Sequence, residues 1–202
     1  MKHILIILLA TISVLSCKAQ HIVNLNTFNQ TDEPNEGKYY KDLDNNFTPF
    51  LGTWEYQYGN QIFRVTLWKE EMVEHENGIK PSYFKDRIKG HYEIVEVGAF
   101  EQETIIKTSN KNIKNTNTTY FPVIAGGTID GINLGGSILD NTVPDSSRFS
   151  AFGVEGGFTM QIISGSSPVQ AFWSGEINNS LQLPDYPTEF SFPNNITLTK
   201  VN

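Results

Sequence analysis

The sequence predicts an all-β domain, and three observations support this fold class. Runs in which apolar and polar residues alternate recur along most of the chain, and such alternation is typical of half-buried strands. Glycine contributes 16 residues and aromatic side chains 12% of the chain, which suits strands joined by many turns. Roughly nine or ten strands in sequential order favour a closed antiparallel barrel, and a closed two-sheet sandwich is the alternative.

Residues 1–16 have the features of a secretion leader. Lys2 and His3 precede an apolar stretch of about a dozen residues, which is too short for a membrane span of about 20. The stretch ends in Val14-Leu15-Ser16-Cys17, which resembles the lipobox of bacterial lipoproteins. The resemblance implies cleavage before Cys17 and acylation of Cys17, so that the partner of the mature chain is a membrane.

A second interpretation of the leader stays open. Ala19-Gln20 fits an ordinary signal-peptidase site, and cleavage there would release a soluble periplasmic or secreted protein. Lys18 resembles an outer-membrane address in lipoprotein sorting, and the absence of an adjacent acidic cluster favours the periplasmic face. Cys17 is the only cysteine, which excludes a disulfide within the chain.

The remainder of the chain predicts a tether followed by one domain. Residues 17–46 contain the lipidated cysteine and then a polar stretch rich in turn-forming residues, including 31–37, as in a flexible tether. Tyr39, Tyr40 and Phe47 are expected to dock on the edge of the domain. Residues 47–202 are long enough to bury a single core.

The domain opens with a predicted β-hairpin. Trp54, Tyr56 and Tyr58 alternate with polar residues, which indicates a half-buried strand. Gly59-Asn60 suits a two-residue hairpin turn. The next strand places its apolar set, Phe63-Val65-Leu67, on the core face.

The start of this hairpin carries a family resemblance. Phe50-Leu51-Gly52-Thr53-Trp54 resembles the Gly-x-Trp opening of the lipocalin and fatty-acid-binding-protein barrels, which implies a lipocalin-like barrel closed at one end by Trp54. The arginine that packs on this tryptophan in those families is absent, and the last strand offers Lys200 instead. The chain as a whole resembles short, uncharacterised lipoproteins of the Bacteroidota, a likeness that implies no activity.

Further strands follow at regular spacing. The segment 83–97 is predicted as a long strand bent at Gly90, because a glycine inside a strand often marks a bend or a close approach. A hairpin partner follows at 100–108, and an exposed loop at 109–119. Residues 132–139 are predicted as a strand broken by Gly135-Gly136. The remaining strands are predicted at 158–163, 169–176 and 195–200.

Composition and motifs exclude several classes of function. The formal net charge of −7 and the pI near 5.1 argue against a nucleic-acid partner, which requires a basic surface. Glu74 and Glu76 share one face of a strand and His75 the other, so these three do not predict a metal site. The paired glycines lack the context of a phosphate-binding loop. No catalytic set or cofactor motif stands out, and the sequence predicts a protein that is not an enzyme.

A barrel of this size can hold one small hydrophobic ligand. Such a binding module is the first functional prediction. Aromatic residues of the predicted strands are the candidates for lining the cavity: Trp54, Phe63, Trp68, Tyr92, Phe172 and Trp173. The alternative is a structural or interaction lipoprotein that contacts an envelope protein or a glycan, in which these side chains simply fill the core.

Overall fold

The computed structural model describes residues 21–28, 37–77, 80–110, 123–142, 153–178 and 187–201. The predicted leader, Cys17 and most of the predicted 109–119 loop lie outside these residues. The described part contains eleven strands and, as its only helical segments, three short 3-10 turns. The strands are β1 His21–Asn24, β2 Lys38–Lys41, β3 Gly52–Tyr58, β4 Gln61–Asn77, β5 Lys80–Val97, β6 Glu103–Thr108, β7 Ile124–Gly127, β8 Asn133–Asp140, β9 Val154–Ile163, β10 Gln170–Ile177 and β11 Ile196–Lys200.

Eight of these strands form a closed antiparallel barrel, which confirms the predicted fold class. β3, β4, β5, β7, β8, β9, β10 and β11 pair in the order of the sequence, as an up-and-down meander. The ring closes where β11 meets β3, with Lys200 opposite Trp54. Closure pairs the strand edges that an open sheet would expose.

β5 has three different neighbours along its second edge. β2 pairs with it in parallel at Tyr39–Phe84, β7 pairs with it over Ile88–Gly90, and β6 pairs with it from Glu93 onward. β4 and β5 extend past the barrel wall as a long hairpin, and β1 and β2 add to this extension. The barrel end beside β1 and β2 is called the N-terminal end here, and the other is called the opposite end.

The barrel interior is a packed core. Phe63, Val65 and Leu67 are buried, as their alternation predicts, and Trp54 and Tyr92 face them from the neighbouring strands. These side chains belong to one continuous hydrophobic cluster that draws on every strand of the barrel. Burying this much apolar surface is the main force that holds the barrel together.

Trp54 seals the N-terminal end. Its indole Nε1–H donates to the Phe50 carbonyl at 2.8 Å. The Lys200 ammonium lies 5.5 Å from the centroid of the Trp54 ring and donates to the Pro49 carbonyl at 3.0 Å. A lysine on the last strand therefore packs over this tryptophan and ties β11 to the turn before β3.

A buried carboxylate fixes β2 to the same end. Asp86 accepts hydrogen bonds from the Tyr39 hydroxyl at 2.5 Å, from the Asp42 amide at 3.0 Å and from the Met72 amide at 3.2 Å. The Lys69 ammonium lies 2.9 Å from the same carboxylate. Burial alone would raise the pKa of Asp86, but the hydrogen bonds, led by that from Tyr39, outweigh burial and lower it.

An irregular segment closes the opposite end. Residues 187–195 contain no regular element, and they place Phe190 and Phe192 against the core. Gly156 and Gly175 make room for this segment: a Cβ on Gly156 would lie 2.6 Å from the Phe190 ring, and one on Gly175 would lie 3.0 Å from it. Small residues on β9 and β10 therefore let the aromatic plug enter the barrel mouth.

Asp140 holds the plug in place. It is fully buried and accepts hydrogen bonds from the Tyr92 hydroxyl at 2.5 Å and from the Ser191 amide at 2.6 Å. The Thr142 hydroxyl donates to it at 2.8 Å. Burial would raise the pKa of Asp140, yet these hydrogen bonds, led by that from Tyr92, lower it.

Replacing Asp140 by asparagine is expected to lower the free energy of unfolding at pH 7 by about 2–3 kcal/mol, because one charge-assisted acceptor becomes an NH₂ group facing the Ser191 amide. The pKa of Asp140 is lower in the folded state, so its linkage contribution is present above pH 4 and is lost as the pH falls below that. In urea unfolding, the difference in free energy of unfolding between wild type and variant should therefore be equal at pH 7 and pH 5 and smaller at pH 3. A constant difference would contradict this account of Asp140.

Two features differ from the sequence-based expectation. The folded part begins before residue 47, since Tyr39 and Tyr40 are buried in β2. A strand of four residues is too short to show the alternation of apolar and polar residues by which strands are predicted. The predicted break at Gly135-Gly136 is wrong, because β8 runs through both residues. Gly136 packs directly on the backbone of β7, and only a residue without a side chain can do so.

Candidate functional site

Four of the six predicted ligand-binding aromatics share the barrel core. Trp54, Phe63, Tyr92 and Trp173 are fully buried. Phe63 lies 5.9 Å from Tyr92 and 6.3 Å from Trp173, measured between ring centroids. Phe192 stacks on Phe63 at 5.3 Å. Aromatic rings at these separations are in direct contact, so these side chains pack on one another.

The other two aromatics lie on the outer face of the barrel. Trp68 is 43% exposed and Phe172 is 41% exposed. Trp68 is out of phase with Phe63 on β4, and Phe172 is the direct neighbour of buried Trp173 on β10. Successive side chains of a strand point to opposite faces, so strict alternation is the signal that separates the two groups.

A cleft on the barrel wall is a candidate site formed by other residues. It sits where β5 changes its neighbour from β2 to β7, and its volume is about 640 Å³. Leu25, Phe28 and Phe47 line one side. Glycine-rich stretches of β7 and β8 line the other, and this lack of side chains is what leaves the space open. We call this site the β5 cleft.

Two basic side chains of β5 line the β5 cleft. The Lys85 ammonium lies 4.9 Å from the Phe28 ring centroid and makes no ion pair with any described residue. Burial, and then the positive charge of Arg87, lower the pKa of Lys85. Arg87 pairs with Glu70, with its Nε 3.0 Å from the carboxylate. Lys85 is therefore a partly buried cation whose charge is not balanced within the described structure.

A histidine of β4 adds a polar atom to the same cleft. His75 stacks on Tyr83 with ring centroids 5.1 Å apart. Its Nε2 is buried and has no hydrogen-bond partner in the described part of the chain. Burial, and then the charges of Lys85 and Arg87, lower the pKa of His75 to about 4. The ring is thus neutral at pH 7, and one of its nitrogens can donate to or accept from a ligand.

The carboxylates along the cleft are already engaged. Asp86 accepts the hydrogen bonds described above, and Asp130 accepts from the Ile132 and Asn133 amides, both at 2.8 Å. The Asn133 hydrogen bonds hold the pKa of Asp130 below its usual range. Among the described residues that line the cleft, Lys85 makes no ion pair and His75 Nε2 has no hydrogen-bond partner, and an anionic or hydrogen-bonding group would match them.

A second cleft of about 760 Å³ lies on the outer face of β8, β9 and β10. Glu155 and Glu176 line it among glycines. Within the residues described, no group of three or more histidine, cysteine, aspartate or glutamate side chains is placed to hold a metal ion. The same residues include no helix with the length and apolar character that crossing a bilayer requires.

Sequence reasoning missed the residues of the β5 cleft. His75 lies on a strand where no metal site was predicted, Lys85 lies on the predicted strand 83–97, and Phe28 falls in the predicted tether. The cleft exists because β5 exchanges one partner strand for another, and no local pattern in the sequence reports such an exchange. An isolated signal was present at Lys85-Asp86-Arg87, where two cations flank a carboxylate on the opposite face.

Comparisons with known proteins give a family and nothing more specific. One family model matches residues 1–201, and its description is a family of unknown function. No curated protein and no solved structure matches the chain.

Proposed function

The chain belongs to the family DUF6705, whose function is unknown, so membership supplies no activity, and we propose that the protein is a non-catalytic binding module of the bacterial envelope. Its ligand is a small, largely hydrophobic molecule that carries an acidic group. The ligand occupies the β5 cleft and not the barrel interior. Cys17 is acylated and holds the module at the periplasmic face of the outer membrane.

One observation carries this proposal: a cation that makes no ion pair with any described residue lies beside apolar side chains in a cleft. A partly desolvated ammonium without a counter-charge is costly, and an anionic ligand would remove that cost. Lys85 supplies the charge, while Leu25, Phe28 and Phe47 supply an apolar wall. Ligand sites commonly combine such a wall with a few polar groups that fix orientation.

The packed interior supports a site outside the barrel. Trp173 stacks on Phe158 with ring centroids 4.9 Å apart, and Tyr92 contacts Phe192 at 4.7 Å. These ring contacts occupy the centre of the barrel interior. The same packing also favours the second candidate function, an interaction lipoprotein that binds an envelope protein or a glycan through its surface.

Replacing Lys85 by methionine is expected to weaken binding of an acidic amphiphile about tenfold, which corresponds to about 1.4 kcal/mol. The probe is 11-(dansylamino)undecanoic acid, followed by the rise in dansyl fluorescence. Its uncharged methyl ester serves as the matched ligand. Wild type should prefer the acid over the ester, and Lys85→Met should bind the two alike, because only the acid uses the ammonium.

Lys89→Met is the matched control for this measurement. Lys89 lies on the same strand but pairs with Glu70, with its Nζ 2.6 Å from the carboxylate, and it is absent from the cleft wall. An equal loss of preference in both variants would reject the β5 cleft as the site. Native mass spectrometry of protein from its own envelope should show a bound lipophilic acid. If it shows bare protein, and the probe does not bind, the interaction function takes its place.

A further inference from the structure

The described chain begins at the N-terminal end of the barrel. β1 starts at His21, which pairs with Lys38 of β2, and β2 lies on the part of β5 that extends beyond the barrel wall. His21, the first described residue, therefore lies at this end of the barrel. An anchor at residue 17 would therefore lie nearer to this end of the barrel than to the opposite end.

The loops of the N-terminal end expose large apolar side chains. We call this set the N-terminal rim; its members are Leu43, Ile129, Ile132, Ile163, Val169 and Val201, all exposed. They occupy the connection before β3, the β7–β8 loop, the β9–β10 turn with its flanking residues, and the residue after β11. Six exposed apolar side chains on the loops of one barrel end are a candidate interaction surface.

Hydrogen bonds join these loops into one surface. The Asn46 side chain donates to the Ile129 carbonyl at 2.9 Å. The Ile162 amide donates to the Ile132 carbonyl at 2.9 Å, and the Lys200 amide donates to the Val169 carbonyl at 2.8 Å. The rim is therefore continuous around the barrel end and is held by the barrel itself.

We propose that the N-terminal rim lies against a phospholipid bilayer. The inference rests on the acylation of Cys17 proposed above. Only residues 18–20 separate Cys17 from His21, and at full extension this link spans at most about 14 Å. A domain held so closely by this end must turn the same end toward the membrane, whereas a tether of thirty residues would leave it free to tumble.

Apolar contact between the rim and the bilayer, and not electrostatic attraction, accounts for this orientation. The chain carries a formal net charge of −7, so attraction to anionic lipid is not available to it. Isoleucine, leucine and valine side chains instead enter the boundary between headgroups and acyl chains. An anchor and an apolar rim on the same side form two membrane signals, which together hold a protein more firmly than one acyl chain.

Depth-dependent quenching tests the orientation. Cys17 is the only cysteine, and acylation blocks its thiol, so Ile132→Cys and Val169→Cys each offer one reactive site at the rim. Ile105→Cys on β6 is the matched control, because Ile105 lies away from the rim and is at least as exposed as Ile132 and Val169. Each full-length, acylated variant is labelled with a nitrobenzoxadiazole dye and mixed with vesicles of phosphatidylcholine and phosphatidylglycerol.

Both rim labels should be quenched at least about threefold more than the control by doxyl-labelled lipid, since quenching requires contact at membrane depth. Equal quenching at positions 132, 169 and 105 would overturn the proposal. Protein that does not co-float with vesicles would also overturn it, because the anchor would be missing. Neither readout depends on the β5 cleft, so binding of the dansyl probe is judged separately.

Discussion

Replacing Trp173 by alanine is expected to lower the free energy of unfolding by about 4 kcal/mol. The side chain is fully buried on β10. It stacks on Phe158 at 4.9 Å and meets Phe63 edge-on at 6.3 Å, measured between ring centroids. Alanine would leave a cavity at the centre of the core, which the surrounding rings can fill only in part. Urea unfolding followed by far-UV circular dichroism gives the value.

Two variants isolate the cause of this loss. Phe172→Ala removes an aromatic ring from the next residue, which faces outward, and should cost about 0.5 kcal/mol or less. Trp173→Phe keeps an aromatic ring in the core and removes an indole N–H that has no partner among the described residues; it should cost less than about 1.5 kcal/mol. A Phe172→Ala loss as large as that of Trp173→Ala would contradict the assignment of inner and outer faces.

Replacing Gly136 by alanine is expected to cost about 3 kcal/mol, the upper end of the range for overpacked sites. A Cβ at this position would collide with the Ala125 carbonyl oxygen and would lie 2.6 Å from the Gly126 Cα. Both obstacles are backbone atoms of β7, so no side chain can rotate away. The strand pair would have to separate, which would disturb the wall of the β5 cleft as well as the barrel.

Gly135→Ala is the control for this effect. The two glycines are neighbours on β8, but a Cβ on Gly135 would find its nearest neighbour, the Phe158 carbonyl oxygen, at 3.9 Å. Alanine there should be neutral or slightly stabilising, because it restricts the unfolded chain. Thermal unfolding of the two variants side by side measures the difference. Equal melting temperatures would show that β7 and β8 do not approach each other as closely as described.

Local patterns in the sequence predict the first hairpin well. Alternation places Phe63, Val65 and Leu67 inside, and Gly59-Asn60 forms the turn between β3 and β4. The same alternation, applied strictly, separates Trp68 from the core. These features depend on neighbours within a few residues, so the chain itself reports them.

Long-range features are the ones that the sequence does not report. The plug residues Phe190 and Phe192 lie in a proline-rich stretch without periodicity, and only the folded barrel gives them a place. β2 is four residues long and is held by the hydrogen bond from the Tyr39 hydroxyl to the Asp86 carboxylate, two residues that are distant in the sequence. The β5 cleft depends in the same way on which strands become neighbours. The candidate site was therefore not predictable, although its fold class was.

The pairing of β11 with β3 also sets when the protein can fold. Lys200 must meet Trp54 before the ring is complete, so every strand from β3 to β11 has to be synthesised before the barrel can close. Until then β3 keeps an unpaired edge, and contacts so distant in sequence form slowly. A nascent chain that still lacks β11 therefore has no closed barrel to reach, and it leaves the edge of β3 open to pairing with other strands.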